Sequence, residues 1–329
     1  MRIGIFVGLG LAAGALWAWN SSLLAELAAA PEIRLIAHRG VHQTFNRDGL
    51  TNETCTATRI DPPRHAFLEN TVESMRAAFE AGASVVELDV HLTRDNQFAV
   101  FHDWTVDCRT EGKGVTEEHD MATLKGLDIG YGYTADGGKT FPFRGTGTGK
   151  MPTLTEVLGA LPDKRFLVNF KSRRSEEGDA LAKLVEATPA WRPALFGVYG
   201  GDVPTRRSLE LIQGLRGYDK SSIKNCLLSY LAYGWTGVVP AACHNTLVIV
   251  PSNYAWLLWG WPHRFAQRMR EAGSELILMG AYDGGDGTTG IDSIEELGAI
   301  PDGFDGYVWT NRIEIIGPAL KKAERGPGA

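Results

Sequence analysis

From residue 33 onward the chain alternates short apolar runs with amphipathic stretches, and this alternation limits the fold more than any other feature. Runs at 33–37, 84–90, 97–101, 165–170, 194–198, 247–250, 276–279 and 306–309 have the length and the Val, Ile, Leu and Phe content of strands. Residues 70–81 place Val72, Met75 and Phe79 on one helical face, and 153–161 begins a helix after Pro152. Further helices are expected at 295–299 and 313–322. Strands that alternate with helices pair in parallel, and about eight of them close a barrel. The expected fold is therefore α/β, a TIM-type (β/α)8 barrel over residues 31–329. An insertion follows the third strand, along the polar, glycine-rich stretch 104–151 with one short helical patch at Met121, Leu124 and Leu127. The region 220–262 yields no strand that can be placed. No internal repeat, low-complexity segment or second domain appears.

Residues 1–30 stand apart. Ile3 to Trp19 is a run of seventeen residues without a formal charge, after Arg2 and before Asn20. Apolar on every side and ending in Trp17 and Trp19, it suits a membrane span or signal segment better than a core helix. Pro31 would follow the small-residue site at Ala28 and Ala30 and hinder cleavage, which favours an uncleaved anchor over a removed signal. Arg2 prefers the cytoplasmic side, so the body is expected to be exported, membrane-anchored or periplasmic or extracellular. Cys55, Cys108, Cys226 and Cys243 form no C-x-x-C pair, which argues against zinc clusters and redox motifs. The short 226–243 separation favours pairing within each half, and four buried thiols would serve equally as small hydrophobes. A net charge of -6 and the absence of a dense basic run argue against nucleic acid as a partner.

Two further segments invite misreading. Residues 145–150, Gly-Thr-Gly-Thr-Gly-Lys, lack the first glycine, the Ser or Thr after lysine and the preceding strand of a phosphate-binding loop, so they read as a plain loop. Tyr254, Trp256, Trp259 and Trp261 crowd one segment, where core packing is the favoured reading over shelter for an apolar alcohol.

Functional side chains of such barrels sit at the carboxyl ends of strands. The first run ends in His38-Arg39-Gly40, the second carries Glu87-Leu88-Asp89, the third is followed by His102-Asp103, and the fourth ends in Asn169-Phe170-Lys171. Glu87 and Asp89 are two apart and share a strand face, as do Asn169 and Lys171. Two adjacent carboxylates inside a barrel repel unless a cation lies between them. All-oxygen ligation by Glu87, Asp89 and Asn169 points to Mg2+ or Ca2+. Each residue alone is more readily structural; four successive strand ends converging are not.

These residues, with Glu69-Asn70-Thr71, Thr93-Arg94-Asp95, Arg109-Thr110, Leu127-Asp128 and the run Met151 to Leu158, resemble the glycerophosphodiester phosphodiesterase family, densely from 33 to 171. The likeness thins to Phe304–Asn311 beyond. The resemblance implies metal-dependent hydrolysis of glycerophosphodiesters, with His38 as general base and His102 as general acid. His102 is a metal ligand in some members. It implies that Arg39 and Lys171 bind phosphate, that Glu87 and Asp89 hold metal, and that Glu69 is a site carboxylate near Arg39. Glu69 equally fits a helix cap. Where the family has Glu-x-Lys this chain has Asn169-Phe170-Lys171, and Thr310-Asn311 replaces Thr-Asp. A lyase or hydrolase acting on lysophospholipids and a non-catalytic phosphodiester binder are the competing expectations.

Overall fold

The computed structural model describes residues 2–28, 30–51, 54–285 and 288–324. Nine strands form one sheet: β1 Ile33–His38, β2 Ala83–Leu92, β3 Phe98–Val100, β4 Phe166–Phe170, β5 Leu195–Gly200, β6 Gly217–Tyr218, β7 Leu247–Pro251, β8 Glu275–Met279 and β9 Gly306–Thr310. Eight run parallel in the order β6-β5-β4-β2-β1-β9-β8-β7, a nearly closed barrel. The helices are α1 Arg2–Asn20, α2 Val72–Ala81, α3 Met121–Gly126, α4 Leu154–Ala160, α5 Ser175–Ala187, α6 Asp202–Leu211, α7 Lys220–Tyr233, α8 His263–Glu271, α9 Ile294–Gly298 and α10 Ile313–Glu324.

Strand alternation divides the core. Ile36, Val85, Leu167, Ile277, Tyr307 and Trp309 fill the barrel interior, while Leu35, Val86, Leu88 and Val168 meet the surrounding helices. A third apolar cluster, including Phe101, Val106, Met121, Leu124 and Tyr133, packs the insertion onto β3. Both expected cysteine pairs are bonded, Cys55–Cys108 and Cys226–Cys243.

Two expectations change. The third apolar run is β3, which folds back antiparallel along β2 and lies outside the barrel path. Only residues 93–97 separate β2 from β3, too few for a parallel crossover of a dozen residues or more. The barrel strand missing from 220–262 is β6, just ahead of that region, and two residues long. Among the described residues no helix is long and apolar enough to cross a membrane. The foot of α1 docks on the barrel. Trp19 Nε1 donates to the Thr236 carbonyl at 3.1 Å, and Asn20 Nδ2 to that of Trp235 at 2.8 Å. The buried Arg268 donates to the carbonyls of Trp19 (3.1 Å) and Gly234 (2.9 Å).

Candidate active site

The site is built where inward-facing strand positions run past the end of the apolar interior. His38 continues the face of Ile36, Glu87 and Asp89 that of Val85, and Asn169 that of Leu167. Residues Arg39 (φ 56°) and Gly40 (φ 78°) turn the chain sharply out of β1. A Cβ on Gly40 would lie 2.5 Å from Ser74 Oγ and 2.8 Å from Ser74 carbonyl carbon, so only glycine lets β1 pass this close to α2. His102 arrives by a different route from the other residues. The β2–β3 hairpin returns the chain so that Phe101 N donates to the Asp89 carbonyl at 3.1 Å, which sets His102 beside the same carboxylates.

His38, Arg39, His102, Asn169, Lys171 and Tyr199 line one cavity of about 190 Å³. Each histidine is held by Nδ1. His38 Nδ1 lies 2.6 Å from Asn311 Oδ1, and Asn311 Nδ2 donates to Asp292 at 2.8 Å, which fixes the amide oxygen as acceptor. His102 Nδ1 lies 2.7 Å from Asp103 Oδ1, a carboxylate that can only accept. Both rings therefore present Nε2 for chemistry. Burial first, and then the neighbouring Arg39, pushes both imidazoles well below their ordinary value.

A chain of charges supports them. Asp103 Oδ2 accepts from Arg109 Nε at 2.9 Å, Arg109 Nη1 meets Glu69 Oε2 at 3.1 Å, and Glu69 Oε1 accepts from Arg39 Nη1 at 3.1 Å. Arg39 Nε then lies 3.1 Å from Asp89 Oδ2. Glu69 thus sits between two arginines, and helix α2 is capped instead by Thr71, whose side chain accepts from Ser74 N. Arg109 is fully buried, anchored also by Thr56 at 2.8 Å and by Tyr133. Arg109-Thr110 figured in the sequence only as part of the family resemblance, and its role escaped the reading of strand ends because it lies in the insertion, where no strand period marks it. An arginine followed by threonine in an otherwise glycine-rich loop was the available signal.

The two carboxylates differ. Burial would raise Asp89, but Arg39 and Lys171 (Nζ 3.6 Å from Oδ1) hold it ionised and low, and Asn70 and Asn169 donate to it at 2.9 and 2.8 Å. Burial and the adjacent Asp89 push Glu87 up to about 8. It accepts from Tyr199 OH at 2.6 Å and from Arg39 N at 3.2 Å, and its nearest basic side-chain atom is His38 Nε2 at 3.8 Å. Tyr199 is a second residue the sequence reading passed over, since its apolar run was ended at 198. Among the described residues no cluster of three or more His, Cys, Asp or Glu side chains is arranged to hold a metal ion. The reason is local: Asn169 brings an amide where a third carboxylate would stand, and its NH2 is turned to Asp89. A hard cation would nonetheless relieve the repulsion between Glu87 and Asp89 by taking the place of the proton that Glu87 holds.

A second cavity of about 360 Å³ adjoins the first, sharing Tyr199 and Thr288. Tyr199 stacks on Tyr218 with centroids 4.9 Å apart, and Trp309, Met279 and Tyr282 complete an aromatic wall with Lys220 at its edge. The clustered tryptophans lie elsewhere. Trp261 packs on Phe265 and Phe304, whereas Tyr254, Trp256 and Trp259 are exposed, so the expected core role holds for only one of them.

Residues 38–187 match the Glycerophosphoryl diester phosphodiesterase family. A glycerophosphodiester phosphodiesterase of Caldanaerobacter subterraneus is 41% identical over 103 residues, covering 31% of this chain and 39% of that protein. One from Bacillus altitudinis is 31% identical over 110 residues, covering 33% and 41%. The chain thus spans about two fifths of the length of these curated relatives. Among solved structures, a putative glycerophosphoryl diester phosphodiesterase from Silicibacter pomeroyi superposes with a TM-score of 0.58 at 15% identity, covering 92% of this chain and 98% of that one. A phosphodiesterase of Oleispira antarctica in complex with the product sn-glycerol-3-phosphate gives 0.54 at 18% identity, covering 88% and 96%. At these identities the structural likeness speaks for the barrel fold.

Proposed function

We propose, from the premise that this chain belongs to the glycerophosphoryl diester phosphodiesterase family, that it hydrolyses glycerophosphodiesters to glycerol 3-phosphate and an alcohol. The observation that carries the reading is the pair of histidines on one cavity with Arg39 and Lys171, each clamped at Nδ1 and free at Nε2. Neutral His38 takes the proton of the glycerol 2-hydroxyl, whose oxygen bonds to phosphorus while the bond to the departing alcohol breaks. Arg39 and Lys171 lie against the phosphoryl oxygens and favour the charge that builds there. His102, which burial and Arg39 keep neutral without substrate, takes up a proton at Nε2 as the phosphodiester anion enters beside it and gives that proton to the departing oxygen, with Asp103 bonded at Nδ1. Water opens the cyclic phosphate with the two roles exchanged.

Magnesium or calcium would be held by Glu87, Asp89 and Asn169, with His102 as a further candidate ligand, and when bound supplies positive charge to the phosphoryl oxygens. Its binding needs the Asn169 amide to turn its oxygen inward. The aromatic cavity beside Tyr199 favours an apolar alcohol, which keeps a lysophospholipid-cleaving variant of the same chemistry as the second reading. The two disulfides suit an oxidising compartment, and with Arg2 at the start of α1 they support an exported, membrane-associated barrel.

A phosphorus NMR screen of glycerophosphocholine, glycerophosphoethanolamine and lysophospholipids, with magnesium and with calcium, tests the activity. Glycerol 3-phosphate is the expected product, and intact substrates throughout would remove the hydrolase reading. Calorimetry tests the metal set separately. Asn169→Glu is expected to tighten cation binding and Glu87→Ala to abolish it. An unchanged affinity in Asn169→Glu would take residue 169 out of the ligand set.

A further inference from the structure

We propose that α7's end, the turns at 234–236 and 252–257 and the foot of α1 form one docking face for an anionic lipid bilayer. The first support is exposure. Trp256 is 74% exposed, Tyr233 and Val238 62% each, and Tyr254, Trp235 and Leu257 are also open to solvent. Monomeric proteins seldom leave so many large apolar side chains together on one surface without something to cover them. Trp and Tyr are the residues that membrane interfaces favour, since each joins an apolar ring to a polar tip.

These positions are joined in space by the docked helix foot. Trp19 and Asn20 bond to the carbonyls of Thr236 and Trp235, and Trp259 Nε1 donates to the Leu231 carbonyl at 2.9 Å. The exposed rings therefore continue directly into α1, itself without an acidic residue.

Charge selects the occupant. Residues 220–270 contain no Asp or Glu and carry Lys220, Lys224, Arg264, Arg268 and Arg270, in a chain of net charge -6. Arg268 is buried and Arg270 pairs with Asp305 at 3.3 Å, so the exposed cations are Lys220 and Lys224. An aromatic segment with exposed lysines and no carboxylate of its own, on an acidic protein, complements an anionic headgroup layer, where each nearby basic residue adds attraction. A second copy of the chain would bring like charge against like.

The face also borders the mouth of the site. The turn at 252–257 follows the carboxyl end of β7, and Asn253 clamps Tyr282 by two hydrogen bonds of 2.9 Å. Tyr282 walls the aromatic cavity next to Tyr199. Seating this face on a bilayer brings the cavity opening to the headgroup layer. The inference rests on this surface, independently of the chemistry proposed for the cavity.

The test uses full-length protein reconstituted into vesicles of brominated phosphatidylglycerol or brominated phosphatidylcholine, with tryptophan quenching as the readout. Turnover of a small soluble diester, or failing that the circular dichroism spectrum, verifies that variants are folded. The expected result is stronger quenching with phosphatidylglycerol, a clear loss of quenching in Trp256→Phe, and a partial loss in Lys224→Glu. Because α1 could tether a barrel that floats free, bulk vesicle binding alone is not the criterion. Equal quenching of the original chain and Trp256→Phe overturns the proposal, as does equal quenching in the two lipids. A dimer in solution that depends on Trp256, with no Trp256 quenching, overturns it in favour of self-association.

Discussion

At the scale of single residues, the site is organised by what holds the far side of each imidazole. Asn311 offers His38 a neutral acceptor, so the ring keeps its Nε2 lone pair; Asp103 offers His102 a negative one, which works against the lowering by burial and Arg39 and eases protonation once an anionic substrate is bound. This asymmetry predicts different mutant behaviour. General acid catalysis is worth ~10²–10⁴-fold, and little of that is needed when the leaving group is already a stable anion. His102→Ala is expected to lose most activity on glycerophosphocholine and to keep much of it on a p-nitrophenyl glycerophosphate, while His38→Ala fails on both. Losses for His102→Ala that are equal on both substrates and reversed by excess metal would instead make His102 a ligand. The residues found from sequence, His38, Glu87, Asp89, Asn169 and Lys171, were legible because strand periodicity puts them on one face. Arg109 and Tyr133 were not, because contacts made by a loop leave no period in the sequence.

At the scale of elements, the barrel strands were readable wherever a run of four or more largely apolar residues occurred. β6, with two residues, gave nothing to read. The β2–β3 hairpin shows the opposite case: both runs were visible, and their direction was encoded in the short turn between them, residues 93–97. The junction of β1 with α2 is the tightest joint in the site. Gly40→Ala would place a methyl against the Ser74 backbone at a positive φ, so α2 must shift and Arg39 with it. The expected outcome is a stability loss of about 1–3 kcal/mol in urea unfolding, with activity falling further than stability accounts for. Unchanged unfolding would mean that α2 yields freely.

At the scale of the whole molecule, a buried acid outside the site adds its own tie between stability and pH. Glu177, at the start of α5, has no exposed surface, and burial raises its carboxyl to about 8 against the pull of Ser172. The folded state then retains a proton that the unfolded chain releases near 4.5. Stability falls as pH rises from that value to about 8 and levels off above it. Glu177→Gln removes this dependence. Its advantage over the original chain should grow across the window by an amount on the order of a few kcal/mol, read from urea unfolding at the two ends. A constant difference would show that Glu177 is ionised throughout. The barrel itself has one seam. β6 and β7 end the sheet path unpaired, and the Thr246 hydroxyl donating to the Gly217 carbonyl at 2.7 Å bridges them. The Cys226–Cys243 bond joins α7, which follows β6, to the turn that precedes β7. Sulfur hoops the barrel where the ladder is cut. Amide exchange should therefore show the stave most ready to lift: in a Cys226→Ser, Cys243→Ser chain, deuterium enters 215–220 and 247–251 early, while β1, β2 and β9 stay protected. Uniform exchange across all the strands would mean that the hoop carries no strain of its own.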